Sequence, residues 1–240
     1  MVFKYSLESF IPKERDTPQY NRYKAALYEQ FARVGKALSS ARRIELLDLL
    51  LQAERTVEDL ADQTTMSIAN TSQHLQVLKQ ARIVESERRG NHVVYRVTSD
   101  QAGNLLTSIQ QFAEVGLAEV DAITRRFHDG CEEMEPLDRV QLMARAKTGD
   151  AIVLDVRPRA EYEAGHLPYA ESLPLADLEL RLASLPKDKQ VVAYCRGPYC
   201  VLAVEAVERL RERGFNAVRL EDGVREWQEQ GLPVEYDESA

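Results

Sequence analysis

The sequence predicts two domains of different class: a mostly α-helical half carrying a β-hairpin, and an α/β half built on a doubly wound parallel sheet. Three observations carry this. The 240 residues exceed one domain of ordinary size, at roughly 100–200 residues each. Apolar residues recur at helical spacing through most of the first half, whereas later short apolar runs alternate with helical segments. Charge divides in the same way. Residues 1–130 hold 17 Lys and Arg against 17 Asp and Glu, while residues 131–240 hold 14 against 22 and supply the whole net charge of −8.

Composition excludes several classes. A chain that is 44% hydrophobic, 29% charged and 7% aromatic can build packed cores, so disorder and low-complexity repetition are excluded. No window approaches the roughly 18 apolar residues of a membrane span. The start, MVFKYSLESFIPKERD, has early acids and no long apolar stretch, which argues against a signal peptide. Three scattered cysteines make no disulfide scaffold, and the expected address is a reducing cytoplasm.

The first half reads as helices in order. Residues 21–38 place Tyr23, Leu27, Phe31 and Val34 at helical spacing, and after Ser40 the stretch Ala41–Gln52 carries Ile44, Leu47 and Leu51 on one stripe, widened by Leu46 and Leu50. Thr56 suits the N-cap of a short helix through Val57, Leu60 and Ala61. Ser67 suits the next, opening a helix whose Ile68, Leu75 and Leu78 are expected to face the core. The period then changes to two strands, Ile83–Arg89 and His92–Val97, joined around Gly90-Asn91. Gln101–Phe127 reads as one long helix anchored by Leu105, Ile109, Phe112, Leu117, Val120 and Ile123.

A break follows at His128-Asp-Gly-Cys-Glu-Glu-Met-Glu-Pro136, read as a linker over 128–137. It separates an expected domain 1–127 from another at 138–240. Beyond it, Ala151–Val156, Val191–Tyr194 and Ala217–Leu220 read as strands. Helices are expected over Val201–Arg213, closed by Gly214, and over Val224–Gln230.

Two short helices at 57–63 and 67–80, a tight Thr64-Thr65-Met66 connection and a following basic hairpin make a winged helix-turn-helix. The second helix is the reader of double-stranded DNA. Its outer face offers Ala69, Asn70, Gln73 and His74, of which Asn and Gln can pair bidentately with adenine. Ser67, Thr71 and Ser72 suit phosphate contacts. His74, beside Leu75, suits a base reader and a buried histidine equally. Arg88 and Arg89 at the hairpin tip are either a solvated turn or a contact to phosphate and minor groove. Ser67–Ser99 is locally basic, with Lys79, Arg82, Arg88, Arg89 and Arg96 against Glu85 and Glu87.

Residues 25–115 resemble the ArsR family of bacterial winged-helix regulators. The matching run is Met66-Ser-Ile-Ala-Asn-Thr-Ser-Gln-His-Leu-Gln-Val-Leu-Lys-Gln-Ala-Arg-Ile-Val84, with Gly90 and Tyr95 in the wing. The resemblance implies a homodimer formed through the flanking helices, an operator as partner and a repressor's role. Arg82 stands where the family has a glycine closing the reader helix. Many members sense metals through cysteine pairs before the reader helix or through histidine and carboxylates on the last helix. Val57-Glu-Asp-Leu-Ala-Asp-Gln63 has no cysteine, and the last helix offers Glu114, Glu119 and Asp121 without a histidine before His128. No metal or other cofactor is expected.

In the second half the informative string is Val191-Val-Ala-Tyr-Cys195-Arg-Gly-Pro-Tyr-Cys200-Val-Leu-Ala. A strand ends, a six-residue loop turns and a helix begins. Converging backbone N–H groups and a helix N-terminus are expected to lower the Cys195 thiol pKa and cradle an anion. A thiolate there attacks a sulfane sulfur and carries it as a persulfide. Within the loop, Arg196 binds an anion or is solvated, and Gly197, Pro198 and Tyr199 shape the turn. Cys200 is either a small helix cap or a resolving thiol. Cys131 is expected to be an ordinary thiol.

This half resembles the rhodanese (sulfurtransferase) family over residues 138–235. The matches are Leu154-Asp-Val-Arg157, Glu161-Tyr162, Gly165-His166-Leu-Pro168 with Ala170, the Cys195 loop, Asp222-Gly223-Val-Arg-Glu-Trp227 and Gly231-Leu-Pro233. The resemblance implies that Cys195 is the catalytic cysteine and that Asp155 and His166 are structural. Tyr169 and Asp222 replace frequent glycines. Phosphatases and arsenate reductases of similar fold carry Cys-x5-Arg, and position 201 here is Val201. The expected partners are a sulfane-sulfur donor (thiosulfate, polysulfide or persulfide) and a thiol acceptor. Two readings follow: a regulator that senses or transfers reactive sulfur, or a sulfurtransferase whose winged helix localises or dimerises it.

Overall fold

The computed structural model describes residues 18–128 and 139–237, so Cys131 and nearly all of the expected linker lie outside the described residues. The chain divides into two compact units. One holds the described residues up to Leu47 together with Arg55–Ala102; the other holds Asp48–Glu54 and the residues from Gly103 on.

The first unit contains α1 (Pro18–Leu38), most of α2 (Ala41–Gln52), β1 (Arg55–Thr56), α3 (Val57–Gln63), α4 (Ile68–Gln80), β2 (Val84–Arg89) and β3 (His92–Val97). Both expected caps are present. Thr56 and Asp59 exchange hydrogen bonds as a capping box, with Asp59 N donating to Thr56 Oγ1 at 3.1 Å. Ser67 Oγ accepts from Asn70 N at 3.3 Å. The hairpin pairs Arg89 with His92 across Gly90-Asn91, and Gly90 takes φ +63°. β1 adds a third antiparallel strand, pairing Arg55 with Tyr95, which two residues of sequence did not reveal. Leu46, Leu47, Leu60, Leu75, Leu78 and Tyr95 are buried.

Two expectations need correction. Ile68 is 55% exposed, because the buried side of α4 is formed by Thr71, Leu75 and Leu78, leaving the first helical residue outside the stripe. Residues 101–127 are not one helix: α5 (Asp100–Gly116) and α6 (Ala118–His128) are separated at Leu117. Gly116 is a weak helix former, and Val120 N returns to Leu117 O at 3.0 Å in a tighter turn that starts α6.

The second unit continues with α7 (Arg139–Thr148), β4 (Ala151–Asp155), α8 (Arg159–Glu163), β5 (Ala170–Ser172), α9 (Leu178–Arg181), β6 (Gln190–Tyr194), α10 (Leu202–Glu212), β7 (Asn216–Arg219) and α11 (Val224–Glu229). The four strands are parallel in the order β5-β4-β6-β7, the doubly wound arrangement expected. Side chains alternate across the sheet. Val191 and Ala193 pack with Leu178, Ala203, Val207 and Leu210 on one face, and Val192 and Tyr194 with Leu142 and Trp227 on the other. The chain leaves β4 toward β5 on one side and returns to β6 on the other, so the switch point lies at the carboxyl ends of β4 and β6.

Asp155 fixes that end of the sheet. Fully buried, it accepts from Arg157 N at 3.0 Å, Arg157 Nε at 2.9 Å, Arg157 Nη2 at 2.6 Å and the Tyr194 hydroxyl at 2.5 Å. Arg157 donates onward to Gly165 O at 2.7 Å, and Tyr194 Oη accepts from Leu167 N at 3.1 Å. One carboxylate thereby ties β4, β6 and the 165–167 turn together.

Candidate functional site

Two sets of residues have functional geometry. The first lies on α4 and the hairpin. Ala69, Asn70 and Gln73 are exposed, and Ser72 and His74 are half-buried. Thr71 departs from its expected role: it is buried, and its hydroxyl donates to Ser67 O at 3.1 Å, so it faces the core and not a phosphate. Lys79 Nζ donates to Ser86 Oγ at 2.6 Å and Gln76 Nε2 to Tyr95 Oη at 3.0 Å, which fixes the hairpin against the helix. Arg88 and Arg89 are both exposed at the tip. Arg88 Nε donates to Gly90 O at 3.2 Å, and Arg89 Nη2 pairs with Glu87 at 3.2 Å. Arg96, counted in the basic strip, is engaged by Glu85 at 2.7 Å.

The second set is the loop that follows β6. Cys195 is 2% exposed and Cys200 half-buried. Cys195 Sγ donates to Cys200 O at 3.4 Å. Backbone N–H groups of Arg196 and Ala203 point at the Cys195 sulfur, so the expected nest is present. Burial nevertheless outweighs it. Burial first, and then the Cys200 thiol, push the Cys195 thiol well above its ordinary range, correcting the expected lowering. The low thiol is Cys200. The neighbouring Cys195 side chain brings it down to about 7 against its burial, helped by the N–H groups of Arg196 and Leu202 and by the Arg196 charge.

The rest of the loop is held from below. Arg196 neither reaches for solvent nor waits open for an anion: its Nε lies 2.9 Å and its Nη2 2.6 Å from the carboxylate of fully buried Glu161. Gly197 takes φ +125°, and a Cβ there would lie 2.9 Å from Glu226 Oε2. Glu226 itself accepts from Gly223 N at 2.8 Å, and burial raises its pKa. A Cβ on Gly223 would lie 2.6 Å from the carbonyl carbon of Arg196, so only glycine admits this approach. Buried Arg219 donates through Nη1 to Pro198 O at 3.3 Å, while Tyr199 is exposed at the rim.

Residues 40–86 match the bacterial regulatory protein, arsR family, and residues 138–230 the rhodanese-like domain. Over 212 residues the chain is 44% identical to the HTH-type transcriptional regulator Rv0324 of Mycobacterium tuberculosis, covering 88% of this chain and 93% of that protein. The chain belongs to the ArsR-family transcriptional regulators, with a C-terminal rhodanese-like domain. A sulfurtransferase of Allochromatium vinosum is 34% identical to this regulator over 90 residues, covering 37% of this chain and 82% of that protein. A crystal structure of fragment 1–100 of a possible transcriptional regulatory protein from Mycobacterium bovis is 44% identical, covers 38% of this chain and 98% of that one, and has a TM-score of 0.37.

Four residues of this ArsR-family regulator that support the loop had no role assigned from sequence. Glu161 stands within a quoted family signature, yet its partner Arg196 is 35 positions away. Glu226 and Gly223 are likewise in a signature without a stated function. Arg219 carried no signal, since a strand arginine reads as exposed until the sheet is assembled. Among the described residues no group of three or more His, Cys, Asp or Glu gathers as metal ligands. No helix among them is long and apolar enough to cross a membrane.

Proposed function

We propose that this regulator binds an operator in double-stranded DNA as a homodimer, and that a sulfane sulfur taken onto Cys195 changes its affinity for that operator. Residues 1–127 serve DNA binding and dimerisation and residues 138–240 the sulfur chemistry, in the cytoplasm. The observation that carries the reading is the thiol pair Cys195 and Cys200, in one loop at the switch point of a parallel sheet, in a chain that also carries a reader helix. Asn70, Gln73 and His74 with Ala69 read base edges. Ser67, Ser72, Arg88 and Arg89 meet the backbone. Dimerisation is supported by apolar side chains left exposed on α1 (Tyr23, Leu27, Phe31) and, separately, on α5 and α6 (Phe112, Val115, Ile123).

The sulfur donor is a thiosulfate, polysulfide or persulfide, and the acceptor a thiol. A sulfurtransferase whose winged helix serves localisation is the second reading, favoured by the likeness of the second half to a sulfurtransferase. Operator affinity separates them. Wild type and Cys195→Ser are compared by gel shift, reduced and after polysulfide treatment. Treatment is expected to change the wild-type affinity about 5- to 150-fold and to leave the variant unmoved. Four equal affinities, together with turnover of thiosulfate that Cys195→Ser abolishes, would hand the protein to the enzyme reading.

A further inference from the structure

The proposal below rests on the reading of Cys195 as a sulfur carrier and concerns how sulfur reaches it. Cys195 is 2% exposed, and its Sγ–H is turned toward the carbonyl of Cys200. A donor arriving from solvent does not meet that sulfur. Cys200 is half-buried at the mouth of α10, and the backbone N–H groups of Arg196 and Leu202 favour a thiolate there. The Arg196 charge beside it is held in place by buried Glu161, so the loop carries a fixed positive group next to the outer sulfur.

We propose that Cys200 is the thiol that first takes sulfur from the donor, and that Cys195 receives it in a second, internal step. In the first step the Cys200 thiolate attacks the terminal sulfur of an inorganic polysulfide. A new S–S bond forms, the bond to the next sulfur breaks, and a polysulfide one sulfur shorter leaves with the electron pair. In the second, Cys195 attacks the outer sulfur of the Cys200 persulfide. Cys200 departs as thiolate, and the proton given up by Cys195 passes to the transferred sulfur. The zero-valent sulfur is conserved throughout, so no external oxidant or reductant enters. Cys195 Sγ lies 3.4 Å from the carbonyl oxygen of Cys200, so the two residues face each other across the loop for this transfer. The product is a persulfide stored where solvent thiols reach it poorly.

Arg196 lies between the two cysteines, so trypsin places them on separate peptides, 190–196 and 197–209. The full chain is pulsed with inorganic polysulfide, trapped with iodoacetamide and digested. In wild type the mass of one extra sulfur is expected first on 197–209 and later on 190–196. Cys195→Ser loads 197–209 as fast as wild type and keeps the sulfur there. Cys200→Ser loads 190–196 at least about tenfold more slowly. Appearance of sulfur on 190–196 first in wild type, or loading of Cys200→Ser at the wild-type rate, overturns the relay and leaves Cys195 as carrier. Wild type untouched on both peptides overturns the carrier reading and the relay together. The order of labelling in wild type decides the matter even if a variant fails to fold.

Discussion

Arg82 closes the reader helix with φ +60°, a conformation that side chains with a Cβ adopt at a cost of roughly 1–2 kcal/mol. The surrounding bonds explain why it persists. Arg82 N returns to Lys79 O at 2.9 Å and Ile83 N to Leu78 O at 3.1 Å, the reverse turn that ends a helix and aims Ile83 into the core. The missing glycine was legible as a departure, but only the backbone shows that the turn forms regardless. Arg82→Gly is therefore expected to stabilise the first unit by about 1 kcal/mol, read as a raised urea midpoint with an unchanged slope. A lowered midpoint would mean that the arginine side chain contributes more than its backbone costs. Other residues were misjudged for a related reason. Thr71 reads as polar and outward in sequence, yet its hydroxyl is satisfied by Ser67 O inside its own helix, so its methyl can be buried without leaving a polar group unpaired. At Cys195 the strand–loop–helix pattern disclosed the nest of N–H groups but not the depth of burial that overrides it.

At the scale of elements, long periodic segments were legible and short ones were not. The helices of residues 18–80, the hairpin and the strands β4, β6 and β7 fall within a few residues of where the periodicity places them. α7, α8, β5 and α9 span ten, five, three and four residues. The last three are too short to show a period, and they exist because the sheet beside them supplies the packing. Asp155 is the clearest case of tertiary context deciding an element. The family resemblance implies that it is structural, and the structure shows how: it is the acceptor that joins β4 to Arg157 and Tyr194. Asp155→Ala is expected to cost about 3–5 kcal/mol in the second unit, because the Arg157 charge would stay buried without its carboxylate. Tyr194→Phe removes a single hydroxyl and is expected to cost about 1–3 kcal/mol, since Leu167 N loses its acceptor. Equal unfolding midpoints for wild type and Asp155→Ala would show that the network does not hold the sheet.

For the whole molecule, net charge alone points the wrong way. The chain carries −8, which should repel a polyanion, yet the surplus acids lie in residues 131–240 and the reader segment is locally basic. The structure narrows that strip further. Arg96 is engaged by Glu85 and Arg89 by Glu87, whereas Arg88 is bound to the Gly90 carbonyl and not to a carboxylate. Arg88 is thus proposed as the wing cation that displaces counterions, and Gln73, exposed on α4, as an amide that reads a base. These roles separate in measurement. Arg88→Ala should weaken operator and unrelated DNA alike and lower the slope of log affinity against log salt by about one. Gln73→Ala should keep the slope, lose about 1–3 kcal/mol on the operator and leave unrelated DNA unaffected. Titrating both variants across salt on the two DNAs checks each at once. If Gln73→Ala changed the slope while Arg88→Ala changed only the operator, the reader helix and the wing would have exchanged the roles assigned here.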